Sequence, residues 1–593
     1  MLVLGISGLD RTAELKKRMT PGLDWREQRL VQGLDSAAAL VDENGVIAAS
    51  AQERHDGDKG TGKFPVDAIE ACLRMAGVTL DDVDFVAHGF RYEPTPAFEL
   101  DDRLKRWYSE AYSEEVQLEV LRAHYPDQDW ERKLVRVPHH LAHAASAYHL
   151  SGFRDAIVLV TDGMGESEST SLFSGSGSAL EAVRTYPVAA SLGILYSVVT
   201  QYLGFLPGMD EYKVMGLAPY GDTGVFPNAE LVSLRPGGEL AVPLLALDRT
   251  PEERETHQGA IRGLEEMFGP ARHPDAPVVQ RHMDIAAVLQ RSIERALLFV
   301  LRDGLAATGA SSANLCLAGG VALNCTANGL ISRSGLFDQV FVQPAAGDDG
   351  TALGAALHVL RQHVPADPSP MGMPYWGDEF GDADVEAALE TLGSGHQVRH
   401  LPGDSLLKEV SVLIGSGSVV AWHQGRMEFG PRALGNRSIL ADPSVPNMRE
   451  HLNTVVKQRE EFRPFAPAVI AEKAGEYFEI EPGQEGRFRH MLFVTQVREA
   501  YRDQLSSITH VDGSARVQVV EQESAPRFHA LIRRFGEDHG TPVLLNTSFN
   551  LRGQPIVRTP LEAVATYARS TIDALAIGDW LVVREPESGG SDD

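Results

Sequence analysis

The chain has 593 residues, 54 Lys and Arg against 82 Asp and Glu, and a formal net charge of −28. At about 100–200 residues per domain, this length predicts about three or four domains. A hydrophobic fraction of 43% excludes a wholly disordered chain. The acidic balance disfavours a nucleic-acid partner, because phosphate backbones repel such a surface. No apolar run reaches about 18 residues, so we expect no transmembrane helix and no membrane partner.

The N-terminus and the cysteines indicate the compartment. The first residues are apolar without a preceding basic segment, which is typical of a buried strand rather than a signal peptide. Cys72, Cys316 and Cys325 form neither a disulfide framework nor a CxxC zinc pattern. We therefore expect a protein of the reducing cytoplasm.

The first hundred residues predict a small set of strands and one helix. They are, in order, a strand at 2–6, a hairpin at 36–41 and 46–50, a helix from Pro65 to Met75, and a strand at 83–87. Asn44-Gly45 lies between the hairpin strands and is a strong turn signal. Proline at the start of the helix and Gly77 just past its end support its bounds.

The same pattern recurs in part further along the chain. An apolar strand at 156–160 is followed by a turn at 162–166 and a returning strand at 170–174. Duplicated hairpins of this kind, followed by helices, suggest a two-lobed, actin-like ATPase core.

Two strand–turn–helix units come next. The first has a strand at 314–318, Gly319-Gly320 and a helix from Val321 to Ile331. The second has a strand at 339–342, a small-residue turn and a helix from Thr351 to Leu360. Glycine lets the backbone approach a ligand closely, and a helix N-terminus favours phosphate. The pair indicates nucleotide binding, with two ordinary strand–helix turns as the alternative.

A proline-rich stretch at 363–378 divides the chain. A second α/β region begins near residue 400, with a helix at 406–414 and a strand at 418–422. The predicted domain bounds are 1–365, a connector at 366–399, a second domain at 400–585 and a disordered tail at 586–593.

Histidines are concentrated at 138–149, which holds four of the chain's 20. The alanine-rich composition favours a helix, in which His139 and His143 would lie on one face at the spacing of two ligands to one metal ion. Asp162 and Asp348, at predicted strand ends, are candidate carboxylate partners. Two imidazoles with carboxylates suit iron, manganese or zinc. The alternative is a hydrogen-bonded pair of histidines.

Arginines cluster in the second region. Three lie among glycines at 425–438, and Lys457, Arg459 and Arg463 follow. Guanidinium groups fit phosphate oxygens bidentately, so the cluster predicts an anion site. Its alternative is pairing with surface carboxylates. Further on, residues 544–550 end an apolar strand in amide and hydroxyl groups that can bind a ligand.

Together these stretches resemble the NodU/CmcH/TobZ family of O-carbamoyltransferases, which tailor antibiotics and nodulation factors. The matching stretches are HHLAHAASAY (139–148), DGMGE (162–166), DEYKVMGLAPYG (210–221), LAGGVALNCTANG (317–329), GDDGTALGAA (347–356), GPRALGNRS (430–438), EFRPFAPAV (461–469) and LLNTSFNLRGQPIV (544–557). They span nearly the whole chain in the family's order, which makes the resemblance highly specific.

The resemblance implies an α/β fold: an N-terminal TsaD-like domain with a two-lobed actin-like ATPase core, then a C-terminal YrdC-like domain. The YrdC-like domain would convert carbamoyl phosphate and ATP to carbamoyl adenylate, releasing phosphate and pyrophosphate. The TsaD-like domain would pass the carbamoyl group to a hydroxyl of a small secondary metabolite and release AMP. The implied cofactors are ATP and a divalent metal, Fe²⁺ first, with Mg²⁺ an option beside ATP. The oligomeric state stays open, a homodimer included.

The family's site residues carry over by position. The implied metal ligands are His139, His143, Asp162 and Asp348. The implied adenylate contacts are Gly319, Gly320 and Asn324. The implied residues for carbamoyl phosphate and ATP are Arg432, Lys457, Arg463, Arg516, Asn546 and Ser548.

This sequence departs from the family near residue 34. Relatives carry a His-Asp pair there, whereas this chain has Leu34 followed by Asp35. Asp35 and Asp210 are therefore the candidate catalytic carboxylates, with Glu211 or a nearby histidine as further options. Residues 11–30 look like an insertion, which we expect to shape the pocket for the acceptor.

Three other functions compete with this interpretation. A threonylcarbamoyl-type transferase acting on tRNA is disfavoured by the acidic charge. A hydrogenase-maturation carbamoyltransferase is disfavoured because its zinc-finger cysteines are missing. A non-catalytic ATP-binding sensor is disfavoured because the metal set and the arginine set are both retained.

Overall fold

The computed structural model describes residues 1–94, 101–308 and 314–585, so the predicted tail at 586–593 lies outside the described residues. The chain forms two compact units. The first comprises Met1–Asp56 and Gly60–Met371, and the second comprises Gly57–Lys59 and Gly372–Asp593. Each unit mixes strands and helices, which confirms the α/β class. Within the described ranges, no helix combines the length and the hydropathy needed to cross a bilayer.

The first sheet of the first unit contains the predicted hairpin. Its strands are β1 (Val3–Ile6), β2 (Ala37–Asp42), β3 (Gly45–Ala51), β4 (Phe85–His88) and β5 (Leu134–Arg136). They lie in the order β3-β2-β1-β4-β5, with β2 antiparallel to both neighbours and β4 parallel to both. Helix Val66–Ala76 covers the sheet with Ile69 and Leu73 and ends at Gly77, whose φ of 68° suits glycine.

The second sheet repeats this arrangement. Its strands are β6 (Asp155–Thr161), β7 (Glu168–Ser176), β8 (Ala179–Pro187), β11 (Asn314–Ala318) and β12 (Gln339–Val342). Between β8 and β11 in the sequence, β9 (Ser233–Arg235) and β10 (Glu239–Ala241) form a separate hairpin. The order β8-β7-β6-β11-β12 has the same strand directions as the first sheet. The duplication confirms the two-lobed, actin-like core.

Two helices pack against each other and against the two sheets. They are His139–Tyr148, called here the histidine helix, and Asp349–His363. A Cβ at Gly354 would lie 1.8 Å from the carbonyl oxygen of Ala142, and one at Gly5 would lie 1.8 Å from that of Ala352. Glycine is required at both positions because the backbones touch. This close packing brings the N-terminal ends of the two helices together.

Further α-helices lie in the described part of the first unit. They are Thr12–Met19, Glu53–Asp56, Asp102–Trp107, Glu114–His124, Trp130–Lys133, Leu192–Tyr202, Glu211–Leu217, Pro251–Thr256, Gln258–Phe268, Gln280–Thr308 and Cys325–Arg333. The helix predicted from Val321 begins later than expected. A 3₁₀ turn covers Gly320–Leu323, and Asn324 caps the α-helix by accepting the N–H of Ala327 at 3.0 Å.

The second unit is built on one eight-stranded sheet, in the order β13-β22-β21-β14-β15-β20-β16-β19, and a separate pair, β17-β18. The strands are β13 (His396–His400), β14 (Val420–His423), β15 (Arg437–Ala441), β16 (Ala466–Ile470), β17 (Val494–Gln496), β18 (Ser514–Arg516), β19 (Gln518–Val520), β20 (Val543–Ser548), β21 (Ala574–Ile577) and β22 (Trp580–Arg584). Helices Asp404–Gly415 and Pro526–His539 bury Val410 and Phe528 against it.

The other helices of this unit are Asp382–Leu389, Met448–His451, Ala474–Tyr477 and Pro560–Arg569. The first of them lies inside the predicted connector at 366–399, so part of that segment is structured. The domain bounds drawn from the sequence stay a prediction.

Candidate functional site

Four predicted ligands meet in the first unit: His139, His143, Asp162 and Asp348. One ligand atom from each lies within 4.8 Å of all the others. The two Nε2 atoms are 3.1 Å apart. Oδ2 of Asp162 lies 3.3 Å from His139 and 3.7 Å from His143, and Oδ1 of Asp348 lies 3.4 Å from each. Four donor atoms therefore face one point.

The fold explains this convergence. His139 and His143 occupy successive turns of the histidine helix and are fully buried. Asp162 directly follows β6, and Asp348 directly precedes helix Asp349–His363. The contact between Gly354 and Ala142 brings that helix against the histidine helix, and so places Asp348 beside the histidines.

The ring of His139 is held by neighbours that the sequence did not identify. Its Nδ1 donates to the carbonyl oxygen of Gly89 at 3.0 Å, so Nε2 is the ring nitrogen that faces the cluster. Phe90 stacks on the ring with centroids 4.0 Å apart. The carboxylate of Glu166 accepts the backbone N–H of His139 at 2.8 Å and that of Arg91 at 2.8 Å. The only signal for Glu166 was its place in the DGMGE stretch.

The glycine turn predicted to contact the adenylate is bonded to Asp162. The backbone N–H of Gly320 donates to Oδ1 of Asp162 at 3.1 Å, which leaves Oδ2 for the histidines. Gly319 has a φ of 87°, and a Cβ there would lie 2.3 Å from the carbonyl oxygen of Thr161. Asn324, besides capping its helix, exchanges two hydrogen bonds of 2.9 and 3.0 Å with Gln290.

The charges of the cluster suit a cation. Burial lowers the pKa of both histidines, but Asp348 and Asp162 more than offset this and raise the pKa of His139 well above its ordinary value. Burial raises the pKa of Asp162, yet its hydrogen bonds with the histidines bring that pKa well below the ordinary value. Burial and the charge of Asp162 raise the pKa of Asp348, but the charge of His139 and the hydrogen bonds with both histidines bring that pKa below the ordinary value. Both aspartates are therefore ionised. Ligand bonds of about 2.0–2.2 Å place neighbouring donor atoms about 3.0–3.6 Å apart, so the residues fit a divalent transition metal.

Asp35 and Asp210 occupy different surroundings. Asp35 is exposed and has a φ of 61°. Its Oδ2 atom lies 3.9 Å from the position that a Cβ atom would take if Gly347 carried a side chain. Because Gly347 precedes Asp348, Asp35 lies near the cluster. Asp210 instead pairs with Lys213 at 2.9 Å and accepts the N–H of Leu206 at 3.1 Å.

The end of the predicted insertion lies beside Asp35. Arg29 donates to the carbonyl oxygen of Gly60 at 3.1 Å. A Cβ at Gly60 would lie 3.0 Å from Nη2 of Arg29 and 3.3 Å from Oδ1 of Asp35. Gln32 then donates to the carbonyl oxygen of Met164 at 3.1 Å. Arg29 of the predicted insertion at 11–30 therefore lies on the Asp35 side, and Gln32, two residues after the insertion, contacts the Asp162 turn.

In the second unit, the loop at 430–436, called here the arginine loop, is anchored by hydrogen bonds. Oε1 of Glu428 accepts the N–H groups of Leu434, Asn436 and Arg437 at 2.8, 2.9 and 3.1 Å. From the sheet, Gln518 donates to the carbonyl oxygen of Leu434 at 2.7 Å, and Asn546 donates to that of Ala433 at 3.3 Å. This anchoring positions Arg432, and the sequence indicated neither Glu428 nor Gln518.

Lys457 brings further predicted residues together. Its buried ammonium group donates to the carbonyl oxygen of Ser548 and, at 2.8 Å, to the carbonyl oxygen of Asn550. Burial, followed by the charges of Arg459 and Arg463, lowers the pKa of Lys457 well below its ordinary value. Arg463 pairs with Glu460 at 3.6 Å. Arg516 ends β18, two residues before β19 of the main sheet begins at Gln518.

Comparison with known proteins identifies the family. Two family models match: "Carbamoyltransferase N-terminus" over residues 31–357 and "Carbamoyltransferase C-terminus" over residues 411–584. Nodulation protein NolNO of Sinorhizobium fredii is 39% identical over 604 residues, covering 99% of this chain and 83% of that protein. A 3'-hydroxymethylcephem-O-carbamoyltransferase of Amycolatopsis lactamdurans is 38% identical over 266 residues, covering 45% of this chain and 48% of that protein. The chain therefore belongs to the carbamoyltransferase family and is an enzyme of that class.

Proposed function

We propose that this enzyme is an ATP-dependent O-carbamoyltransferase. It converts carbamoyl phosphate to carbamoyl adenylate and transfers the carbamoyl group to a hydroxyl of a small secondary metabolite. The observation that carries the proposal is the buried cluster of two histidines and two aspartates, in a chain of the carbamoyltransferase family. Relatives named 3'-hydroxymethylcephem-O-carbamoyltransferase support a hydroxyl acceptor of the antibiotic type.

The first reaction belongs to the second unit. Carbamoyl phosphate, ATP and one water give carbamoyl adenylate, phosphate and pyrophosphate. Arg432, Arg463 and Lys457 neutralise charge on the phosphate oxygens, which is the largest catalytic contribution in phosphoryl chemistry of this kind. The anchored arginine loop supports this role, because a guanidinium on a rigid backbone needs little reorganisation.

The second reaction belongs to the first unit. His139, His143, Asp162 and Asp348 would hold a divalent ion, Fe²⁺ first, which when bound supplies Lewis-acid polarisation. Gly319 and Gly320 lie at the adenylate, where the lack of side chains lets it approach the backbone. Asp35, exposed beside the cluster, accepts the proton of the attacking hydroxyl. The new O–C bond forms as the bond from the carbamoyl carbon to the AMP oxygen breaks, and AMP leaves.

Mass spectrometry tests the proposal directly. The enzyme is incubated with Fe²⁺, Mg²⁺, ATP, carbamoyl phosphate and a panel of hydroxylated metabolites, and products are searched for one carbamoyl group in place of a hydroxyl hydrogen. We expect product only when ATP and carbamoyl phosphate are both present, and AMP in equal amount. Product without ATP, or ATP–pyrophosphate exchange that does not depend on carbamoyl phosphate, would contradict the adenylate route.

A further inference from the structure

A row of four aromatic rings, called here the aromatic stack, leads away from the cluster of the first unit. Its first ring is Phe90, which lies on the ring of His139 with centroids 4.0 Å apart. Tyr92 follows at 5.9 Å, and its ring lies 4.3 Å from that of Tyr112. Trp107 ends the row, 5.6 Å from Tyr112. Successive planes from Phe90 onwards differ by only 1°, 11° and 11°, so the π-systems face one another along the row.

The aromatic stack runs from the interior towards the surface. Phe90 is 1% exposed and Trp107 is 7% exposed, so an edge of the large indole ring reaches solvent. Leu9 and Leu15 pack around the rings in one apolar cluster. Tyrosine and tryptophan are among the side chains that lose one electron most readily, and electrons pass quickly between rings in contact. The arrangement therefore connects a ligand of the cluster to solvent by a path that an electron can follow.

The rings differ in where an oxidised state can settle, because an oxidised phenol or indole must pass its proton to an acceptor. The hydroxyl of Tyr92 donates to the amide oxygen of Gln32, which does not take a proton. Burial raises the pKa of Tyr92 and that of Tyr112, so both phenols hold their protons. The indole N–H of Trp107 instead donates to Oε1 of Glu255 at 3.1 Å. That carboxylate is fixed by two cations, Lys16 and Arg103.

We propose that the aromatic stack is an electron relay that protects the cluster when bound Fe²⁺ meets hydrogen peroxide. The inference rests on the metal of the proposed function and adds a second, protective activity to it. The side chain of Asp348 is 23% exposed, so a molecule as small as peroxide can reach the cluster. Ferrous ion and peroxide otherwise generate an oxidant that attacks the nearest side chains, which here are the two histidine ligands.

The electrons and protons of this reaction balance with Trp107 as the donor. Reduction of hydrogen peroxide to two waters breaks the O–O bond and takes two electrons, with two protons from solvent. One electron comes from bound Fe²⁺, which is left as Fe³⁺, and the other comes from Trp107 through the aromatic stack. The N–H proton of Trp107 moves to Glu255 and leaves a neutral indole radical. A reductant of the thiol or ascorbate class then returns one electron at the solvent edge of the ring, and Glu255 returns the proton.

Electron paramagnetic resonance of the Fe²⁺-loaded full-length chain, frozen rapidly after one equivalent of hydrogen peroxide, tests the relay. We expect an organic radical whose spectrum narrows when the six tryptophans of the chain carry ring deuterium. Peptide mass spectrometry of the same sample should place the oxidation at Trp107. The Zn²⁺-loaded protein should give no radical, because Zn²⁺ has no redox chemistry.

Trp107→Phe keeps a ring in the aromatic stack but removes the site where the oxidised state settles. We expect loss of the indole radical and severalfold more oxidation of the two histidine ligands, with Co²⁺ affinity unchanged. Trp107→Tyr, which restores an oxidisable ring at the end of the stack, should keep histidine oxidation close to the wild-type level. Trp130→Phe is the matched control, since Trp130 is also buried but donates its N–H to the carbonyl oxygen of Tyr125.

The outcomes separate this inference from the proposed function. The absence of a tryptophan radical in the wild type, a protein that does not retain Fe²⁺, or equal histidine oxidation in the wild type and Trp107→Phe would each overturn the relay. If carbamoylated product still depends on ATP and carbamoyl phosphate in those cases, the proposed function stands without it. A tryptophan radical in a protein that makes no carbamoylated product would support the relay and refute the proposed function.

Discussion

At the residue scale, His139 is positioned by three contacts that do not involve an ion. Gly89 holds its Nδ1 proton, Phe90 stacks on its ring, and Glu166 accepts its backbone N–H. Outer contacts of this kind orient a ligand and raise its basicity. The position of the ring is therefore a property of the folded chain.

Glu166 provides the test of this positioning. Glu166→Ala removes the acceptor for the N–H groups of His139 and Arg91, and we expect it to weaken Co²⁺ binding about tenfold and to shift the d–d bands of the Co²⁺ protein. Glu166→Gln keeps an acceptor oxygen and should lie closer to wild type. Glu168→Gln is the control, since that carboxylate bonds instead to Ser167. Unchanged bands and affinity in Glu166→Ala would contradict the role.

His88 links stability to pH. Phe90 donates its N–H to Nδ1 at 3.2 Å, so Nε2 carries the proton and donates to the carbonyl oxygen of Gly8 at 3.0 Å. Burial lowers the pKa of His88 from 6.5 to about 4. Between these values the unfolded state binds more protons than the native state, so stability rises with pH there and is lost as the pH falls.

The comparison with His88→Gln isolates this effect, because the variant side chain stays uncharged. From pH 6.5 down to pH 4 the wild type should lose about 3 kcal/mol relative to the variant, at 1.36 kcal/mol for each pKa unit. Urea unfolding of both proteins across this range measures the difference. A difference that does not vary with pH would show that His88 is not the titrating group.

At the element scale, the packing of two helices assembles the cluster. The histidine helix and helix Asp349–His363 meet where Gly354 contacts the backbone of Ala142. Their spacing determines the distance between Asp348 and the histidines. A change at Gly354 should therefore affect stability and metal affinity together.

Gly354→Ala is the corresponding variant. The added Cβ would lie 1.8 Å from the carbonyl oxygen of Ala142, which is backbone and cannot rotate away. We expect a loss of about 1–3 kcal/mol from overpacking and a weaker Co²⁺ site. Gly22→Ala is the control, because a Cβ there has nothing within 4 Å. Calorimetry and Co²⁺ titration measure both effects, and wild-type values for both would refute the packing account.

At the scale of the whole molecule, the proposal assigns one half-reaction to each unit. Arg463→Ala should abolish the ATP–pyrophosphate exchange that depends on carbamoyl phosphate and leave transfer from supplied carbamoyl adenylate intact. His143→Ala should do the reverse, since it removes a cluster ligand and leaves the arginine loop unchanged. Equal loss of both half-reactions in either variant would contradict this division of labour.

The strands and helices that the sequence predicts correctly are those marked by turn residues or by hydrophobic periodicity within a few residues. The hairpin at Asn44-Gly45, the helix ending at Gly77 and the strand at 314–318 all form as predicted. Periodicity and turn chemistry act over a few residues, so they can be read from the chain. The helix expected from Val321 starts at Cys325 because Asn324 acts as its cap.

By itself, the sequence determined the α/β class, the family stretches and the spacing that puts His139 and His143 on one helical face. Tertiary structure decided that Asp162 and Asp348 join them, because β6 ends and helix Asp349–His363 begins at the same place. It also decided that Glu166 holds the histidine helix, that Asn324 caps a helix and that Lys457 binds backbone carbonyls. These roles depend on contacts between segments far apart in the chain, which local patterns do not encode.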